Sequence, residues 1–200
     1  MSYRGPKTKR SRRLGVALTP KAERGMAAKP HMPGMHGPNM RRQKISDYGK
    51  QLLEKQRLRY QYNLRERQLT TYFRKAAAKA GNTGEVMIGM LETRLDVMVL
   101  RAGLARTIYQ GRQLVVHGHV LINGKKCDRP GAPVKVGDKI SIKEKSKGID
   151  GIRHALESTA AAEYMLVDAE NLTAELTRVP SREDVPVICD LALVIEYYAR

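Results

Sequence analysis

Between residues 94 and 142 the hydrophobic repeat changes from a helical period to an extended one, and this change restricts the fold more than any other feature of the chain. Over residues 94–102, Leu95, Met98, Val99 and Ala102 fall on one side of a helical wheel, with Leu91 just before them. Arg94 and Arg101 share a neighbouring face. Gly103 suits the left-handed stop of that helix. A second helix is predicted over residues 106–117, with Leu104, Ile108, Gly111 and Val115 inward, Gln113 on the far side and Gly118 at its end. Residues 120–122 read as a short strand. Asn123-Gly124 then gives the strongest short-range hairpin signal, because a type I′ turn needs positive φ at both positions. Val134-Lys135-Val136 and Ile140-Ser141-Ile142 alternate around Gly137-Asp138, as strands with one buried face do. The stretch therefore predicts a compact module of two helices and a small sheet, with arginine, histidine and lysine on its exposed faces.

Those cations belong to an uneven field. The 200-residue chain carries a net charge of +17. Residues 1–65 hold 17 Lys and Arg against 3 Asp and Glu, and residues 66–91 hold 4 against 2. Residues 92–147 hold 12 against 5, whereas residues 148–200 reverse the sign with 4 against 10. A basic front and an acidic back point to a polyanionic partner. Solubility alone does not require six positive charges and no negative one within residues 1–13. Cys127 and Cys189 lie far apart, so no disulfide framework is expected and a reducing compartment is the default. No apolar run approaches the roughly 20 residues that cross a bilayer, and the N-terminus lacks the apolar core of a secretory signal. A soluble, intracellular protein with no membrane partner is expected.

Residues 1–45 show little hydrophobic periodicity. Arg4, Lys7, Lys9, Arg10, Arg12 and Arg13 form a basic arm, followed by a Pro/Gly/Met/His stretch over residues 29–38. Such a segment buries too little apolar surface to offset its ordering entropy, so a largely irregular arm that orders on its polyanionic partner is expected. Arg41, Arg42 and Lys44 lead into a helix capped by Ser46 and running to about residue 61. It places Lys50 and Arg57 on one face and Leu53 and Tyr60 on another, and it also carries Lys55 and Arg59. The segment Asn63-Leu64-Arg65-Glu66 reads as a capping box for the next helix, whose apolar stripe is Leu69, Tyr72, Phe73, Ala76 and Ala80. Gly81-Asn82 breaks it, and Thr83 caps a short helix through Leu91. Beyond residue 148 the expectations are a helix over 152–162, strands over 164–167 and 175–179, and a terminal helix over 190–198. The last would turn Leu191, Val194, Ile195 and Tyr198 inward.

Catalytic motifs are absent from the sequence. It has no Ser/His/Asp arrangement with motif spacing, no Gly-x4-Gly-Lys-Ser/Thr, no His-Glu-x-x-His and no paired metal ligands, so an enzyme is not expected. Glu54 and Glu66 read as partners of neighbouring arginines, and Asp96 as a structural partner for an arginine or a backbone amide. Aromatic residues make up only 5% of the chain, and Trp is absent. That composition argues against a stacking platform for single strands and for recognition of a structured polyanion through its backbone. The candidate RNA-binding residues are the arm cations already named, Arg41, Arg42, Lys44, Lys50, Lys55, Arg57 and Arg59. In the module they are Arg94, Arg101, Arg106, Arg112, His117, His119, Asn123 and Lys125.

The segments RLDVMVLRAGLA from Arg94, RQLVVHGHVLINGK from Arg112 and VKVGDKI from Val134 resemble the S-four RNA-binding domain. That domain also occurs in pseudouridine synthases, tyrosyl-tRNA synthetases and small stress proteins. SDYGKQLLEKQRLRY from Ser46, ERQL from Glu66, TGE from Thr83, PSREDVP from Pro180 and LVIEYYAR from Leu193 extend the resemblance over essentially the whole chain. Together they resemble the bacterial-type S-four family of small-subunit ribosomal proteins. The resemblance implies an α+β protein: a basic arm over 1–45, a helical domain over 46–91, the RNA-binding module over 92–147, and a C-terminal α/β segment over 148–200 that returns to the helical domain. It implies direct binding to small-subunit rRNA at a multi-helix junction of the 5′ domain, nucleation of body assembly, and residence in the cytoplasmic ribosome near where mRNA enters. It also implies contact with the neighbouring protein S-five, tied to decoding accuracy, for which Arg182, Glu183 and Asp184 are the candidates by position. No cofactor is expected. Many relatives carry an N-terminal cysteine cluster for zinc, but no cysteine precedes Cys127 here, and His31 and His36 alone make a poor zinc site. Gly111 stands where the family usually has alanine, at a helical cost of about 0.5–1 kcal/mol, and is expected to loosen its helix. The alternative reading is a free RNA-binding regulator built on the same module.

Overall fold

A computed structural model of the protein describes residues 5–39 and 45–199, so the candidates Arg4, Arg41, Arg42 and Lys44 lie outside the described residues. In chain order the helices are α1 (Lys7–Leu14), α2 (Pro20–Ala28), α3 (Asp47–Gln61), α4 (Glu66–Ala77), α5 (Thr83–Glu92), α6 (Leu95–Arg101) and α7 (Ile108–Val116). Strands β1 (Val120–Ile122), β2 (Lys125–Lys126) and β3 (Lys139–Ile142) follow, then α8 (Asp150–Ser158), β4 (Met165–Asp168), β5 (Thr173–Leu176) and α9 (Leu191–Ala199). The class is α+β. Two units divide the chain: Met1–Arg74 with Val187–Arg200, and Lys75–Pro186.

The first unit places two helices in the arm that was expected to be largely irregular. Residues 7–14 and 20–28 are helices, although residues 29–39 have no regular structure. The ordering comes from local polar signals rather than from a long apolar stripe. Thr19 Oγ1 accepts the Ala22 N–H at 3.2 Å and Pro20 opens α2, while Gly15 ends α1 at φ 69°. Leu14 and Ala22 are buried. Arg57 of α3 donates through Nε and Nη2 to the Leu14 carbonyl at 3.1 and 3.0 Å, so one of the open carbonyls at the end of α1 is satisfied from α3. Helix α3 begins as predicted, with Ser46 Oγ accepting the Gly49 N–H at 3.2 Å. Helix α9 lies against α3 and buries Val194. It is fixed by Gln51 Nε2 to Glu196 at 2.9 Å, Asp190 N–H to Glu54 at 3.0 Å and Tyr198 OH to Glu66 at 2.8 Å.

In the second unit α5 is capped one residue earlier than expected, by Asn82 Oδ1 accepting the Gly84 N–H at 2.9 Å. Leu95, Met98, Val99 and Ala102 of the predicted stripe are at most 1% exposed. Thr107 caps α7, which therefore starts two residues inside the predicted span. Five antiparallel strands form one sheet in the order β2-β1-β3-β5-β4. Asn123 and Gly124 take φ 48° and 77° and join Ile122 to Lys125, the two-residue hairpin predicted from the dipeptide.

Val134-Lys135-Val136 is not a strand. Val134 is buried and its N–H donates to the Thr93 carbonyl at 2.8 Å, while Val136 is exposed, so the alternation reflects a single anchor in a loop. The predicted strands at 164–167 and 175–179 exist at shifted boundaries, and they complete the module's own sheet through the β5–β3 pairing. The predicted helix over 152–162 is α8, ending at Ser158. Val120, Ile140, Ile142, Ala174 and Leu176 face a core shared with Leu95, Met98, Val99, Leu114 and Ile152. The opposite face carries Leu121, Lys126, Lys139, Ser141, Glu175 and Leu166 by register. Gly111 is buried where α7 meets α6: a Cβ there would lie 2.7 Å from the Asp96 carbonyl oxygen. The glycine permits close packing of the two helices, which corrects its reading as a loosening residue.

Candidate nucleic-acid interface

The structure sorts the predicted RNA-binding cations into those turned outward and those held by carboxylates. In the first unit Lys9 and Arg13 are exposed on α1, whereas Arg12 donates to the His31 carbonyl at 2.8 and 3.1 Å. Lys7 and Arg10 are half-buried, and the Arg10 guanidinium lies 4.1 Å from the centre of the Tyr60 ring. Lys50 is exposed in a surface pair with Asp47 at 3.0 Å.

Lys55, Arg57 and Arg59 turn inward instead. The Lys55 side chain is 4% exposed, its ammonium 2.9 Å from Glu66 and 4.5 Å from the Tyr197 ring centre. Arg59 reaches the other Glu66 oxygen at 2.9 Å, and Arg57 pairs with Glu54 while holding α1. Burial works to raise the Glu66 carboxyl. The hydrogen bonds from Lys55, Tyr198 and Arg59 and the Lys55 charge outweigh it and hold the group below its ordinary value.

The module divides in the same way. Arg94 grips Asp96 with two parallel hydrogen bonds, 3.0 and 2.7 Å, and the two side chains are 2% and 0% exposed. Arg101 makes the same bidentate contact with Glu92, 2.9 Å at both oxygens, and the Tyr164 hydroxyl also donates to Glu92 at 2.9 Å. Burial pushes the Tyr164 phenol well above its usual range, with the Glu92 charge acting in the same direction. Lys55 and Arg94 have almost no surface to offer a phosphate, and Arg57, Arg59 and Arg101 are committed to carboxylates or carbonyls. The structure holds all five in contacts within the fold. Asp96, Glu54 and Glu66 take the pairing roles read from the sequence.

Arg106, His117 and Lys125 are exposed. Arg112 is half-buried, with Nη1 3.5 Å from Asp96. His119 is half-buried, its Nδ1 2.8 Å from Ser146 Oγ, and its ring centre is 6.0 Å from that of His117. Asn123 is exposed, but both ends of its amide are occupied: Nδ2 donates to Asp138 Oδ1 at 2.8 Å and Oδ1 accepts the Lys139 N–H at 2.9 Å. Sequence reading missed Lys126, Arg129, Lys143 and Lys145, all exposed. A Cβ at Gly118 would lie 2.3 Å from Lys126 Cε, so Lys126 crosses the end of α7 at that glycine. The period-two pattern that puts Lys126 opposite Leu121 on the open face was the available signal. Among the described residues, Lys9, Arg13, Arg106, Lys125, Lys126, Arg129, Lys143 and Lys145 make no ion pair. Outward, uncompensated cations of this kind suit phosphate contact.

The three protein-contact candidates are unequal. Asp184 accepts hydrogen bonds from Arg178, from the Ser181 N–H at 2.7 Å and from Ser181 Oγ at 2.8 Å, and these hold its carboxyl well below the usual range. Arg182 donates to the Val185 carbonyl at 3.3 Å. Glu183 is exposed and borders grooves of about 700 and 440 Å³. Among the described residues there is no group of three or more His, Cys, Asp or Glu side chains placed to hold a metal, and no helix long and apolar enough to cross a membrane.

Comparison with known proteins covers both units. The family model described as ribosomal protein S4/S9 N-terminal domain matches residues 2–92, and the S4 domain model matches residues 93–140. The chain is 48% identical to small ribosomal subunit protein uS4 of Streptomyces avermitilis over 200 residues, covering 98% of this chain and 97% of the relative. It is 50% identical to the protein of the same name from Micrococcus luteus, covering 95% and 94%. For that of Oceanobacillus iheyensis the identity is 45%, covering 99% and 98%. The same stretches that build the inward ion pairs and the outward lysines lie inside these matches, and the chain belongs to the uS4 family of small ribosomal subunit proteins.

Proposed function

We propose that the protein is a structural, non-catalytic component of the small ribosomal subunit in the cytoplasm, and that it binds the subunit's rRNA directly. The observation that carries this reading is the division of its cations. The inward ones are neutralised by Glu54, Glu66, Glu92 and Asp96, while the outward ones on α1, β2 and the loops around the sheet have no acidic partner among the described residues. A surface of that kind gains by releasing counterions from a folded RNA. The proposed contacts are Lys9, Arg13, Lys50, Arg106, Arg112, His117, His119 and Lys125, joined by Lys126, Arg129, Lys143 and Lys145. Arg4, Arg41, Arg42 and Lys44 complete the set from the sequence.

The finer reading follows the family resemblance: a multi-helix junction of the rRNA 5′ domain as the target, early binding that nucleates the body, and a place near where mRNA enters. In the same reading the acidic C-terminal segment contacts the neighbouring protein S-five and influences decoding accuracy. Glu183 and Arg182 are its proposed contacts, with Asp184 holding their turn. Fractionation of cells on a sucrose gradient tests the assignment. The protein should travel with the small subunit and remain there through moderate salt washes, whereas recovery only in the free pool would support the regulator reading.

A further inference from the structure

Two tight turns at one end of the sheet, Asn123-Gly124 and Gly137-Asp138, are stitched to each other by side chains 15 residues apart. Asn123 Nδ2 donates to Asp138 Oδ1 at 2.8 Å, and Asn123 Oδ1 accepts the Lys139 N–H at 2.9 Å. The second Asp138 oxygen accepts the Lys135 N–H at 2.8 Å. The Asn123 N–H in turn donates to the Lys139 carbonyl at 2.8 Å. The hydrogen bonds of the clasp lie at the solvent-exposed surface, so core formation does not account for them. What the clasp does hold is the backbone N–H of Lys135 and of Lys139, while Lys125 follows directly on the Asn123-Gly124 turn that the clasp anchors; all three lysines are exposed. Lys139 also has Glu175 at 3.8 Å. The Asp138 carboxyl is held below its ordinary value, mainly by the Lys135 N–H and then by Asn123, so it stays an acceptor at neutral pH.

We propose that Asn123 and Asp138 are a positioning pair for RNA binding: their clasp preorganises Lys125, Lys135 and Lys139 as one phosphate-contacting rim, and neither side chain itself reads the RNA. The inference rests on the reading of the protein as an RNA-binding one. Three flexible lysines held on a fixed backbone lose less freedom on binding than three on independent loops, and that difference appears as affinity.

The test uses an exchange of donor and acceptor in the full chain. Asn123→Asp alone sets two carboxylates face to face, and Asp138→Asn alone removes the charged acceptor. The double variant Asn123→Asp with Asp138→Asn restores one donor and one acceptor across the clasp at the original net charge. Dissociation constants are measured for a folded 5′-domain rRNA fragment and for an unrelated folded RNA, at a temperature where circular dichroism shows every variant folded. Each single variant is expected to bind the rRNA roughly fivefold to tenfold more weakly. The double variant is expected to return to within about twofold of the original affinity. A double variant as weak as the singles would overturn the proposal and make Asn123 a direct contact. Single variants with unchanged affinity would also overturn it, leaving the clasp a feature of folding alone. Equal binding of the original protein to both RNAs would instead defeat the rRNA reading, and the exchange would still decide the clasp on either RNA. If neither RNA binds, both readings fall.

Discussion

Arg94 and Arg106 are the same residue type in one module, and the structure gives them opposite surroundings. Arg94 is locked to Asp96 with both side chains out of water, whereas Arg106 is exposed at the start of α7. Truncating a buried partner strands the other charge, so Arg94→Ala is expected to cost about 3–5 kcal/mol of unfolding free energy in a urea titration. Arg106→Ala should stay within about 0.5 kcal/mol of the parent. In RNA binding the order reverses: Arg106→Ala should weaken affinity and reduce the salt slope, while folded Arg94→Ala should leave the slope unchanged. Gly111→Ala separates propensity from packing. Alanine favours a helix by about 0.5–1 kcal/mol, but its Cβ would meet the Asp96 carbonyl at 2.7 Å, so a net loss of about 1–3 kcal/mol is expected by thermal or urea unfolding. A gain in stability would mean that α7 shifts freely against α6. The sequence shows an Asp two residues after Arg94, which made a structural pairing of Asp96 readable. It does not show that Arg101 would meet Glu92, because that contact depends on how α5 and α6 cross.

Helix α9 is attached in part through polar contacts. Its links to α3 and α4 include Glu196 to Gln51 and Tyr198 to Glu66, with Lys55 and Arg59 sharing the Glu66 carboxylate. A carboxyl whose folded value lies below its unfolded one stabilises the fold above the unfolded value and loses that contribution as pH falls through the folded value. Glu66 is such a group, so acidification through and below the ordinary glutamate range should loosen α9 before the module's sheet opens. Amide hydrogen exchange across α9 checks this, and Glu66→Gln should abolish most of the pH dependence while raising exchange at neutral pH. Equal acid sensitivity in Glu66→Gln would place the titrating group elsewhere.

Element types were readable wherever a local signal was strong. The Ser46 cap, the Asn123-Gly124 turn and the Leu95 to Ala102 stripe each depend on a few adjacent residues. Helices α1 and α2 carry little apolar periodicity, and their signals are the polar Thr19-Pro20 start and the conformational Gly15 stop. The strands β4 and β5 were legible as strands but not as members of the module's sheet, since pairing with β3 is a long-range fact.

At the scale of the whole chain, charge is the most informative sequence property. The net +17 and its reversal over residues 148–200 indicate a polyanionic partner before any fold is known. Charge did not indicate which cations face that partner, because the carboxylates that neutralise Lys55, Arg59 and Arg101 lie 7 to 11 residues from them along the chain. The most direct test is a binding titration across a salt series, with a 5′-domain small-subunit rRNA fragment against an equally long unrelated folded RNA. Tight, discriminating binding is expected, with a steep fall in affinity as salt rises. Removing Lys125, Lys126 and Arg106 together should flatten that dependence by close to three phosphate contacts, at roughly 0.7–0.9 per contact in the log–log slope. Equal affinity for both RNAs, or a slope untouched by the triple variant, would contradict the assignment of the outward cations to rRNA.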